Sequence, residues 1–300
     1  MSDISFDGRV AIVTGAGGGL GRTYALDIAS RGGAVVVNDL GGSVDGQGGS
    51  DSAAQKVVDE IKAKGGEAVA NHSSVATKEG GEAIVASAVD AFGKVDVVVN
   101  NAGILRDKSF VKLGVEDLDL VLDVHLRGAF FVSQPAFKVM KDNGYGRFIF
   151  TASNSGVFGN FGQSNYGAAK NGLVGLSNVL AVEGAKNGIL SNVICPVART
   201  RMTEELLGAA ADALDPELVT PMVVYLASEA CTFTHETFSA AAGRYARIFT
   251  GLAPGWFAGK GVSVSAEDIA SHIDQIEAQE GYIVPTSSAD ELGQVFQHLS

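Results

Sequence analysis

Three side chains in one stretch have the types and the spacing for proton chemistry. In "SNSGVFGNFGQSNYGAAK", residues 153–170, Ser153 stands thirteen residues before Tyr166, and Lys170 follows four residues after it. On a helix a spacing of four puts two side chains on one face, within reach of a common object. A lysine ammonium beside a phenol favours the phenolate and lowers a tyrosine pKa from its usual value of about 10. A hydroxyl arriving from another segment could hold a carbonyl oxygen beside that phenol. A surface Tyr and Lys on an ordinary helix carry the same spacing, so the elements around them must decide.

Those elements alternate. "RVAIVTG", "AVVVNDLGG", "EAVANHSSV", "VDVVVNNAG", "GRFIFTAS" and "ILSNVICPV" are short β-branched or apolar runs. Between them lie helix-like stretches of roughly 10–15 residues or more, a pattern of βαβ units and a parallel sheet. "LDLVLDVHLRGAFFVSQPAFKVM" reads as one such helix, and "FSAAAGRYARIF" as a seventh strand. The expected fold is α/β: a single doubly wound Rossmann domain over residues 1–250, with a mainly parallel seven-stranded sheet and helices on both faces. Two stretches stand outside the alternation. "LGGSVDGQGGSDS" is a glycine-rich loop, long for a βα connection. Residues 251–300 read as a C-terminal helical extension, in which "SAED" is a capping box opening the amphipathic "SAEDIASHIDQIEAQEG".

Composition narrows the possibilities. The chain has 300 residues, 46% hydrophobic and 19% charged, which suits one globular α/β core with appendages. No apolar run approaches the roughly 20 residues that span a bilayer, so no membrane partner is expected. The start "MSDISFDGRV" shows no export signal, and the end "QHLS" is not a peroxisomal tripeptide. Cys195 and Cys231 cannot build a disulfide framework, and no Cys/His grouping has metal spacing. Both read as small buried residues in a reducing interior, and a cytoplasmic location is expected. A net charge of −12 argues against nucleic acid, whose binding needs a basic face. It leaves room for a phosphorylated small molecule held by backbone N–H groups.

Such a cradle is present. "TGAGGGLG", Thr14 to Gly21, lies between the first strand and its helix. Gly15, Gly19 and Gly21 put no Cβ where the chain turns tightly, Leu20 beside them is a further cofactor-contact candidate, and the helix N-terminus offers donors to a pyrophosphate. Asp39 ends the second strand, where a carboxylate accepts bonds from ribose hydroxyls and repels a 2′-phosphate, so NAD is the expected cofactor. "NNAG", residues 100–103, ends the fourth strand with Asn101, Ala102 and Gly103, small enough for a ligand to approach.

Together, TGxxxGxG, NNAG and a serine thirteen residues before YxxxK resemble the short-chain dehydrogenase/reductase family over about residues 5–250. Within it, "FDGRVAIVTGAGGGLGRTYAL", "VVVNDLGG", "NNAGILRDKSF" and "YGRFIFTASNSGVFGNFGQSNY" are similar to the (3R)-hydroxyacyl-CoA dehydrogenase portion of type 2 multifunctional enzymes. The hydratase and sterol-carrier portions of such enzymes have no counterpart, which implies a free-standing dehydrogenase. The resemblance implies that Tyr166 is the general acid/base, that Lys170 tunes it and holds the nicotinamide ribose, and that Ser153 holds the substrate oxygen. Hydride transfer to or from NAD needs no metal. It also implies cofactor contacts from Ser74, Val75, Ala198 and Thr200, and a homodimer or homotetramer.

Three positions depart from the family pattern. His125 stands where an asparagine usually organises the proton relay, and it is either part of that relay or a packed helix histidine. "NHSSV" lacks the aspartate that many relatives turn to adenine, leaving backbone contacts from Ser74 and Val75. "PVARTRM" lacks the usual glycine after Pro196. The implied reaction interconverts a (3R)-3-hydroxyacyl-CoA and its 3-oxoacyl-CoA, with Arg106, Lys108 or Arg201 as candidates to meet CoA phosphates. Two alternatives stay open: a hydroxysteroid or sterol-side-chain-CoA substrate with the same mechanism, and a non-catalytic NAD-binding sensor or scaffold. The extension either crosses to a partner subunit or forms an autonomous surface helix.

Overall fold

The computed structural model describes residues 3–50, 52–199 and 213–299. They fall into two compact units, residues 1–247 and 248–300. In the first, the β-branched runs become β1 (Val10–Thr14), β2 (Ala34–Asn38), β3 (Glu67–Asn71), β4 (Val97–Asn100), β5 (Gly146–Thr151), β6 (Ile189–Val197) and β7 (Thr237–Ala241). All seven are parallel, in the order 3-2-1-4-5-6-7. Parallel strands covered on both faces read as continuous apolar runs. Ile12, Val13, Val35, Val36, Val37, Val97, Val98 and Val99 are all fully buried, as that rule requires. The strand order reverses between β1 and β4, which opens a crevice at the carboxyl ends of these two strands.

The sheet has an eighth strand, a correction to the expected seven. "FSAAAGRYARIF" is a hairpin, with β7 followed by β8 (Arg244–Ile248). Ala242 and Gly243 form the turn between them, at φ 50° and 78°. Two positive φ values in a two-residue turn match the twist of the flanking strands. An Ala-Gly pair carries that signal more faintly than Asn-Gly, so the sequence reads as one strand.

Helices α1 (Gly19–Ser30), α2 (Ser52–Ala63) and α3 (Lys78–Phe92) follow the first three strands. The helix expected over 118–140 is continuous from Val115 to Asn143: α4 (Val115–Leu122), a widened π-helical turn over Asp123–Arg127, and α5 (Gly128–Asn143). A short α6 (Asn154–Phe158) precedes the long α7 (Ser164–Gly184), and α8 (Thr220–Ala227) lies against α1. Residues from α1, α2, α8 and the central strands share one apolar core.

The second unit contains α9 (Ala266–Ser271), α10 (Ile273–Glu277) and α11 (Ser288–Leu299). The expected capping box is formed: Asp268 N–H donates to Ser265 Oγ at 3.1 Å, and Ser265 N–H donates to the Asp268 carboxylate at 2.9 Å. The helix it opens breaks at His272. There the imidazole stacks on Trp256 with ring centroids 3.9 Å apart, and its Nδ1 lies 2.8 Å from the Asp268 carbonyl. Paired backbone bonds between Leu252 and Ile283 join the start of the unit to the segment before α11. Among the described residues, no helix is long and apolar enough to cross a membrane.

Candidate active site

A cleft of about 620 Å³ lies at the crevice between β1 and β4. Its floor is the turn after β1. Gly15 and Gly19 adopt φ of 62° and 51°, and a Cβ on Gly15 would sit 2.7 Å from Ala102 Cα. Gly21 faces away from the cleft, where a Cβ would lie 2.3 Å from the Gly15 carbonyl. It sets how closely α1 packs on the turn. Asn101 lines the cleft, and its side-chain amide braces the turn by donating to the carbonyls of Thr14 (3.0 Å) and Gly15 (3.1 Å). The Thr14 hydroxyl in turn accepts from the N–H groups of Asn101 and Ala102.

Asp39 reaches the rim of this turn. Its carboxylate accepts from Gly17 N–H and Gly41 N–H, both at 2.7 Å, which aims it across the mouth of the glycine cradle. Leu20, Ser74, Val75, Ala102, Gly103 and Ala198 also line the cleft. Thr200 and Arg201 lie outside the described residues. The long glycine-rich loop after β2 forms another wall through Leu40, Ser43, Val44 and Gly46. It is pinned by Leu105 N–H to the Val44 carbonyl (3.0 Å) and by Arg106 Nε to the Asp45 carbonyl (2.7 Å).

Ser153, Tyr166 and Lys170 meet in the same cleft from two elements. Ser153 caps α6, its Oγ accepting from Ser155 N–H at 3.1 Å. Tyr166 and Lys170 lie in the first two turns of α7, with the lysine Nζ 5.5 Å from the tyrosine ring centroid. Lys170 is buried and donates to the Thr151 carbonyl at 2.5 Å. The phenol is not tuned as the spacing alone suggests. Burial pushes Tyr166 up to about 12, against the pull of its hydrogen bond with Ser153, and the Asp107 charge adds to the rise. Burial also takes Lys170 down to about 7. Near neutrality much of the ammonium charge that would favour a phenolate is therefore gone.

His125 sits on the π-helical turn, buried, with its ring edge against Tyr166 at 5.2 Å between centroids. Its Nε2 lies 3.0 Å from Ile104 N and 2.8 Å from Ile104 O, and its Nδ1 has no hydrogen-bond partner among the described residues. Burial, with the nearby Lys170 charge, holds its pKa well below 6.5, so the ring is neutral. A Cβ on Gly103 would lie 2.4 Å from this ring, so the glycine of NNAG makes room for the histidine.

The two cations proposed to meet CoA phosphates have another partner. Arg106 (3.0 Å) and Lys108 (2.8 Å) both pair with Asp117, holding its carboxyl below the usual range. Sequence reasoning missed Asp117, Asn165 and Thr151; the only signal was an asparagine directly before the tyrosine. Cys195 and Cys231 are free and buried, and among the described residues no group of His, Cys, Asp and Glu is arranged to hold a metal.

A reversed strand order, a glycine turn at a helix N-terminus and a carboxylate at the end of β2 define a doubly wound α/β protein of the dinucleotide-binding type. Residues 9–209 match the family model described as short chain dehydrogenase, and the chain belongs to that family. It is 55% identical over 243 residues to the mouse peroxisomal multifunctional enzyme type 2, covering 81% of this chain and 33% of the mouse protein. It is 40% identical over 242 residues to a hydroxyacyl-CoA dehydrogenase of Mycobacterium tuberculosis, covering 74% of each. The solved structure of full-length peroxisomal multifunctional enzyme type 2 from Drosophila melanogaster superposes with a TM-score of 0.82 at 40% identity, covering 98% of this chain and 50% of that one. The chain thus spans a third to a half of these multifunctional relatives.

Proposed function

We propose that this chain is an NAD-dependent oxidoreductase that interconverts a (3R)-3-hydroxyacyl-CoA and its 3-oxoacyl-CoA. One observation carries the reading: Ser153, Tyr166 and Lys170 line the same cleft as Asp39 and the glycine turn. The residues fit a dinucleotide on physical grounds, since a Cβ would fill the cradle at Gly15 and the Asp39 carboxylate retains lone pairs beyond the two backbone donors. The M. tuberculosis relative, by its name, supports the acyl-CoA class.

Bound NAD(H) supplies or takes the hydride. Tyr166 keeps its proton at neutral pH and delivers it to the carbonyl oxygen during reduction; in the other direction the phenolate takes it from the alcohol. Ser153 donates to the same oxygen and stabilises its developing charge. Lys170 would hold the nicotinamide ribose hydroxyls, and the buried neutral His125 holds the backbone at Ile104 that walls the cleft. Asp39 accepts from the adenosine ribose and excludes a 2′-phosphate. By resemblance to its family, the working form is a homodimer or homotetramer.

NADH consumption with 3-oxoacyl-CoA substrates of rising chain length, with NADPH in parallel, tests the reading. Turnover with NADH and an (R) product is expected, and Asp39→Ala should narrow the gap between NADH and NADPH. Binding of NADH without turnover on any thioester would overturn the acyl-CoA assignment.

A further inference from the structure

We propose that Asn165 is a positioning residue for Tyr166, fixed by Asp117 and Arg106; the inference rests on Tyr166 being the group that moves the proton. The first N–H groups of any helix lack an intrahelical acceptor and need another. At the start of α7 the preceding residue does not supply one. The Gln163 side chain makes no capping bond and donates instead to the Asp107 carboxylate at 2.6 Å. The N–H of Tyr166 itself is accepted by Asn165 Oδ1 at 2.8 Å.

Asn165 is almost wholly buried, 1% exposed, and its other end is also engaged. Its Nδ2 donates to the carbonyls of Arg106 (3.0 Å) and Asp117 (3.3 Å). Asp117 is salt-bridged to Arg106 and Lys108, and Arg106 Nε also holds the Asp45 carbonyl of the glycine-rich loop. One side chain therefore ties the Tyr166 backbone to α4, to the segment after β4 and, through Arg106, to the loop that walls the cleft. Removing it leaves one donor and two acceptors without this partner, in a place where burial makes unpaired groups costly. A proton donor displaced by about 1 Å loses on the order of a hundred-fold in rate.

The test compares wild type with Asn165→Ala, Asn165→Asp and Tyr166→Phe. For each, kcat and KM with NADH and a 3-oxoacyl-CoA, NADH affinity by fluorescence, and the isotope effect with NADH deuterated at the transferred position are measured. Asn165→Ala should lower kcat about ten- to a hundred-fold, leave NADH affinity within about two-fold, and enlarge the isotope effect. Asn165→Asp keeps the acceptor for Tyr166 N–H and loses both donations, so its kcat should fall between. Wild-type kcat in Asn165→Ala, with Tyr166→Phe inactive, would overturn the positioning role and leave the proposed function standing. A kcat loss accompanied by equal loss of NADH affinity and an unchanged isotope effect would reduce Asn165 to a folding role. If Asn165→Ala yields no folded protein, Asn165→Asp decides: lowered kcat with intact NADH binding supports the proposal, and wild-type kcat defeats it. Turnover by Tyr166→Phe would remove the general acid/base reading and this inference with it.

Discussion

The two units of this chain bury their apolar residues very differently. In the first, whole strands have no exposure, and even Lys170, His125 and Asn165 are enclosed. In the second, no described residue from 248 to 299 is buried. Its α11 carries Leu292, Val295, Phe296 and Leu299 along one stripe, each at least 40% exposed. The same local rules, apolar periodicity and capping, shape both units. Only the first adds a sheet, whose non-local pairing excludes water from its side chains. The contrast teaches where chemistry can reside: burial moves pKa values most where water is excluded, and Lys170, His125 and Ser153 are buried while Tyr166 stands partly buried beside them.

The comparison can be broken at its strongest point first. Tyr166→Phe should cut turnover by about 10²–10⁴-fold, the usual worth of a general acid, with NADH binding retained. Assay of the purified variant checks it, and near-normal turnover would detach function from the buried phenol. Hydrogen exchange sharpens the contrast next. Amides of β1, β4 and β5 should exchange slower than those of α9 and α11 by a factor on the order of 10³, because the latter open locally. Equal protection would mean that the second unit is held by a partner, such as another copy.

Glycine substitutions give a smaller, two-sided test. A Cβ at Gly21 meets the Gly15 carbonyl at 2.3 Å, so Gly21→Ala should destabilise by about 1–3 kcal/mol in denaturant titration. Gly293 in α11 has open space around it, so Gly293→Ala should be neutral, or strengthen that helix by up to about 1 kcal/mol.

The pH dependence of stability gives a further test, with a definite sign. Folded Lys170 titrates at about 7 and the unfolded chain near the ordinary 10.5, so between those values the unfolded chain binds more protons and stability climbs with pH. Below about 7 the buried charge is fully present and costly. Lys170→Met should therefore raise Tm more at pH 6 than at pH 10, and an equal gain at both would refute the depressed pKa.

Much of this was legible in the residues. The β-branched runs gave seven parallel strands because burial on both faces leaves no room for polar alternation, and "TGAGGGLG" marked a turn that only glycine can make. "SAED" announced its capping box through purely local bonds. What was lost is non-local or faint. The Ala242–Gly243 turn split one strand into two, and the helix expected over 118–140 carries a widened π turn at His125 that its apolar pattern does not mark.

By itself, then, the sequence determined the order of strands and helices and the glycine turn, because these follow from local sterics, and its motifs singled out Ser153, Tyr166 and Lys170 as candidates. Tertiary structure decided the rest. It buried Lys170 and partly enclosed Tyr166, so that desolvation is the largest cause of both pKa shifts. It also gave Arg106 and Lys108 to Asp117, a residue on another element whose proximity no spacing along the chain encodes. Burial and ion pairing depend on which segments meet in space, and that is settled only when the sheet closes its core.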